Sequence, residues 1–163
     1  RFRELGVVAN FQPLWAFAES YITELTEPFL GPERSRWLYP IGSLLRSGAV
    51  VAFGSDWSVS SANPFEEMEV AVTRMGPNGE TDEPWLPEER IDLPSALAAF
   101  TINAAYVNFH EDRTGSIEIG KFADLIVLDR NLFDIKPTEI SETQVLLTLL
   151  EGKPVHGDFS LKH

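Results

Sequence analysis

Two short runs, VVANF at residues 7–11 and AVVAF at residues 49–53, constrain the fold of this chain more than anything else in it. Both are apolar on each of the two alternating faces, as in strands covered from both sides. Helix-forming sequence follows each run, so together they read as part of a parallel α/β unit. Two strands do not complete such a sheet. A full eight-stranded α/β barrel takes about 250 residues, and this chain has 163. The chain is therefore expected to be a piece of a larger architecture. Its opening, RFRELG without an initial methionine, agrees: it reads as the end of a helix.

Other elements follow from local signals. Pro40 can open a helix that runs through IGSLLRSG and stops at Gly48. Asn63 followed by Pro64 is a cap and first-turn pair leading into FEEMEVAVTR, with Phe65, Met68 and Val72 on one face. Residues 75–92, rich in proline and glycine, predict a long loop. Helices are expected around 94–100 and 101–109, whereas residues 15–36 fit no single element.

From Gly115 the pattern changes. SIEIGKFADLIVLDR predicts two short β segments about a Gly-Lys turn, and 143–150 with 153–157 predicts a hairpin turning at Glu151 and Gly152. The expected division is an α/β segment over 1–113 and a mainly β segment over 114–163.

Composition removes several function classes. Thirteen Lys and Arg against 25 Asp and Glu give a net charge of -12, which repels phosphate backbones and argues against nucleic acid as a partner. No apolar run approaches the ~18 residues of a membrane span, and no basic-then-apolar signal segment is evident, so no membrane role is expected. The chain has no cysteine. Disulfides and thiolate metal sites are thereby excluded, any metal must be held by His or carboxylate, and a cytoplasmic setting is the expectation.

The leading chemical candidate is Asp56, just past the end of the second strand run in GSDW. In parallel α/β proteins that end gathers ligand and catalytic groups. The competing reading is a carboxylate that caps the following turn. Gln12 ends the other strand and could face a substrate; Trp57, Ser58 and Ser60 would line the same mouth. Trp15, Phe17, Tyr21 and Trp37 are candidates to shape an apolar pocket, with core packing as the alternative. Arg74 is expected to pair with acidic neighbours. His110 and His156 read as a helix-end and a hairpin histidine more readily than as ligands, and His163 is terminal. Gly120 and Lys121 read as a hairpin turn, not a phosphate cradle.

VVAFGSDWSVSSANPFEEMEVAVTR, then LPSALAAFTINAA, then GSIEIGKFADLIVLDRN closely resemble, in order and spacing, the C-terminal part of the amidohydrolase superfamily. The branch resembled includes N-substituted formamide deformylases and uncharacterised metal-dependent hydrolases. The resemblance covers nearly the whole chain. It implies an α/β fold: the C-terminal part of a (β/α)8 barrel, about strands seven and eight, beside part of a small β-sandwich. It implies that Asp56 binds a catalytic metal and takes a proton from the attacking water. One or two zinc ions, a small amide-type substrate and a homo-oligomer are implied for the longer enzyme. The family's histidine ligands have no counterpart here, so this chain by itself is expected to bind no zinc and to be inactive. A non-catalytic interaction or regulatory module derived from the family is the alternative.

Overall fold

The computed structural model describes residues 1–159; the His163 expectation lies outside them. A short helix α1 (Phe2–Leu5), ended by Gly6 in the left-handed region, leads to β1 (Ala9–Phe11). Three single-turn helices follow, α2 (Ser20–Thr23), α3 (Glu27–Leu30) and α4 (Pro32–Ser35), in the stretch where the sequence favoured no one element. Helix α5 (Ile41–Arg46) then leads into β2 (Val51–Phe53).

β1 and β2 are parallel, with Ala9 opposite Val51 and Phe11 opposite Phe53. The two runs fare differently. β2 is buried along its length, because α5, α7 (Leu93–Phe100) and α8 (Ile102–Val107) pack on it. β1 is buried at Ala9 but exposed at Asn10, and Val7 before it lies open. The expectation of equal two-sided cover thus fails at the first run, since among the described residues those helices cover only the second.

On the edge of β2 away from β1 the Val51 carbonyl accepts a hydrogen bond from the Asn103 side-chain amide, 2.9 Å away. Phe53 meets Phe100 edge to face, with ring centroids 5.3 Å apart.

The predicted start of α6 (Pro64–Thr73) is present: the Asn63 side chain accepts the Phe65 N–H at 3.0 Å. Phe65 and Met68 are buried and Val72 is partly so, in one core with Ile41, Val51, Phe53 and Ala96. Residues 75–92 are irregular apart from short turns at Pro77–Gly79 and Pro87–Glu89. Arg74 anchors this excursion differently from expectation. Fully buried, it donates to the carbonyls of Trp85 and Tyr39 at 3.0 and 3.1 Å and lies over the Trp85 ring. Its hydrogen-bond partners are backbone carbonyls, while burial lowers its pKa to about 10 against the opposing charges of Glu89 and Glu88 nearby.

The last part is an antiparallel sheet of β3 (Leu125–Leu128), β4 (Val145–Leu150) and β5 (Lys153–His156), with β4 in the middle. The hairpin turns at Glu151 and Gly152, both at positive φ, as a two-residue turn demands. The first β segment expected before the Gly-Lys turn is not a strand. Residues 116–119 have no ladder partner among the described residues, and Ile117 is 87% exposed. Between β3 and β4 the chain returns to the helices: Leu132 and Ile140 join the core, and the turn Pro137–Glu142 packs on α6.

Candidate functional site

Parallel pairing places the carboxyl ends of β1 and β2 side by side. Gly54 N–H donates to the Phe11 carbonyl at 3.0 Å, carrying the pairing one step past the ladder. Gln12 leaves β1 at this edge and Ser55 and Asp56 leave β2 at the same edge. Asp56 is exposed and sits at φ 55°, a left-handed conformation that Asp tolerates better than most residues. Its carbonyl accepts the Val59 N–H at 2.8 Å, so the backbone of Asp56 closes the turn and leaves the carboxylate toward solvent.

Trp57 is 72% exposed and Ser58 is exposed, both beside Asp56 on the same turn. Gln12 is half-buried. A cleft of about 310 Å³ lies next to this edge, with Leu14 and Trp15 from the segment after β1, Ser60 from the turn after β2, and Glu66 from α6. Trp15 and Phe17 line it, whereas Tyr21 and Trp37 are exposed and shape neither cleft nor core. The cleft also gathers Glu19 and Glu80; burial first and the Glu80 charge second raise the Glu19 carboxyl above its ordinary range.

The remaining candidates lie elsewhere. His110 follows α8, exposed, and lines a separate hollow of about 600 Å³ between α8 and β3. His156 is on β5, its Nε2 3.2 Å from the Val145 carbonyl. Gly120 turns at φ 98°, and Lys121 Nζ binds Ser116 Oγ at 2.6 Å and Glu118; the turn is structural, but with residues 116–119 outside any ladder it does not join two paired strands as expected. Among the described residues no group of three or more His, Asp or Glu side chains could enclose a metal ion. A metal here would find one carboxylate, Asp56, where catalytic zinc takes three protein ligands. The described residues of this edge therefore hold no complete metal site.

Three buried acids, Glu67, Glu69 and Glu89, escaped the sequence reading, and one of them adjoins this edge. Glu67, on α6, is fully buried, with Oε2 accepting the Leu14 N–H at 2.7 Å and Oε1 without a hydrogen-bond partner. Burial is the main reason its pKa rises to about 7, opposed by the Leu14 N–H and reinforced by the charges of Glu66 and Asp56. The available signal was its place in FEEMEVAV, one position before Met68, where a solvated acid does not fit the core face.

A parallel strand pair with a carboxylate at its carboxyl edge, flanked by helices and followed by a small antiparallel sheet, defines an α/β protein. Residues 1–156 match the Amidohydrolase family, and the chain belongs to that family. It is 38% identical over 159 residues to the protein LONG AFTER FAR-RED 3 of Arabidopsis thaliana, covering 96% of this chain and 26% of that one. It is 38% identical over 115 residues to the N-substituted formamide deformylase of Arthrobacter pascens, covering 71% of this chain and 21% of the relative. Among solved structures, an uncharacterized metal-dependent hydrolase from Pyrococcus horikoshii OT3 superposes with a TM-score of 0.66 at 28% identity, over 83% of this chain and 26% of that one. The chain thus spans roughly a quarter of the length of the proteins it matches.

Proposed function

We propose that this chain is the C-terminal part of a metal-dependent hydrolase that cleaves non-peptide C–N bonds in a small amide, formamide or cyclic amide. In this reading β1 and β2 are barrel strands seven and eight, residues 1–113 belong to the barrel and 114–163 to a β-sandwich. The observation that carries it is the exposed Asp56 carboxylate at the carboxyl edge of a parallel strand pair. The names of an N-substituted formamide deformylase and of a metal-dependent hydrolase among its relatives support the reaction class.

A bound zinc would supply a water of lowered pKa and a polarised carbonyl. Asp56 would be one of its ligands, with the others drawn from polypeptide outside this chain. The residues of this chain then have separable tasks. Asp56 takes a proton at a carboxylate oxygen and delivers it to the departing nitrogen. Gln12, Trp57 and Ser58 face the substrate, and Trp15 offers an apolar wall to its substituent. Isolated, the chain is inactive for want of ligands.

Assaying the longer hydrolase on a panel of N-substituted formamides and cyclic amides tests the reading. Asp56→Asn should lower kcat by at least about 10³-fold, with circular dichroism unchanged. Retention of full turnover would remove Asp56 from the chemistry.

The exposed apolar residues of the last third also support association of this chain with itself. Light scattering after size exclusion should give a dimer or larger species; a monomer that binds no hydrophobic dye would refute that part.

A further inference from the structure

Helix α6 carries a carboxyl group on its core side. Leaving one oxygen of such a group buried and unpaired is destabilising, and an apolar residue would avoid it. What Glu67 gains for that cost is its bond to the Leu14 N–H. Two other buried glutamates also hold distant backbone. Glu69 accepts the Ser141 N–H at 2.8 Å and Glu89 the Ser43 N–H at 2.7 Å. Those two fix the Pro137–Glu142 turn and α5. Glu67 alone of the three grips the segment that leaves β1 at the edge where Asp56 stands.

That segment is one wall of the cleft, through Leu14 and Trp15; Ser60 and Glu66 stand in the other. The helix bearing Glu67 follows directly from the Asp56 turn by way of the Asn63 cap. A single hydrogen bond therefore ties the wall after β1 to the element that continues the wall after β2.

We propose that Glu67 is a positioning residue: it fixes the Gln12–Trp15 segment against the Asp56 turn and so sets substrate binding, without entering the bond-breaking step. This rests on reading that edge as the active site. Because burial brings Glu67 to about 7, its protonated form is well populated near neutrality, and glutamine is a close mimic of it.

The test uses the longer hydrolase with three variants, read by hydrogen exchange and by steady-state kinetics on the same amide panel. Glu67→Leu removes the acceptor. The amides of Gln12, Leu14 and Trp15 should exchange at least about tenfold faster, and KM should rise about tenfold with kcat within about twofold, as for a lost ground-state contact. Glu67→Gln should restore both. If Glu67→Leu does not fold, Glu67→Asp, with its carboxyl withdrawn by one methylene, must raise exchange and KM together.

Acceleration confined to Leu14, a fall in kcat without a change in KM, or an unchanged KM would each overturn the proposal. Should no compound in the panel be turned over, the exchange pattern decides alone. Failure of the underlying reading looks different: Asp56→Asn would keep full turnover whatever Glu67 variants do.

Discussion

β2 and the β3–β5 sheet are built from the same kinds of residue and end up in opposite surroundings. Val51, Ala52 and Phe53 are all buried, whereas Ile126, Val127, Leu150 and Val155 in the later sheet are exposed. Apolar composition therefore does not decide burial here; the presence of a covering layer does. α7 and α8 supply that layer for β2 from within the chain. Among the described residues no element covers the later sheet to the same degree. A strand sequence declares what it needs, and only the rest of the fold shows whether the need is met.

Substitutions can break or sharpen this contrast. Phe53→Ala should cost the most, about 3–5 kcal/mol in urea unfolding, because Phe53 packs on Phe100 in the core. A cost below about 1 kcal/mol would mean that β2 is no better covered than β3.

Next comes a pH effect on the helical side. Folding raises Glu67 from 4.5 to about 7, so between those values the folded chain holds a proton that the unfolded chain has released. Its contribution is therefore most favourable below 4.5 and is lost as pH rises through 7, by on the order of 3 kcal/mol. Glu67→Gln should flatten that part of the stability profile when unfolding midpoints are compared at pH about 5 and about 8.

Asn63→Ala removes the cap of α6 and should cost about 1 kcal/mol in the same assay. Smallest of all, Ile117→Ser should change stability by less than about 0.5 kcal/mol, since that side chain touches water. A larger loss would reveal a partner for residues 116–119.

The parts of the fold set by local chemistry were legible in the sequence. Asn63 with Pro64 fixed a helix start, Glu151 with Gly152 a hairpin, and AVVAF a buried strand. The position of Asp56 just past β2 was legible because a strand end is a short-range feature. What escaped depended on distant partners. VVANF has the composition of a covered strand, yet its cover is incomplete; the segment at 116–119 has β composition without a neighbour to pair with. The role of Glu67 escaped for the same reason, although its burial left a trace in the helix pattern: its acceptor role is defined by Leu14, far away in sequence. Tyr21 and Trp37 look like pocket residues and face solvent: Ile22 takes the buried position of α2, and Trp37 lies past the end of α4.

The amide of Asn103 has a further consequence for assembly. Alternation along a parallel strand turns Val51 and Phe53 toward the edge away from β1, and the carbonyl of Val51 is already taken. A strand added along that edge would meet an acceptor already occupied at Val51. One side chain thus shortens the ladder that such a strand could form there.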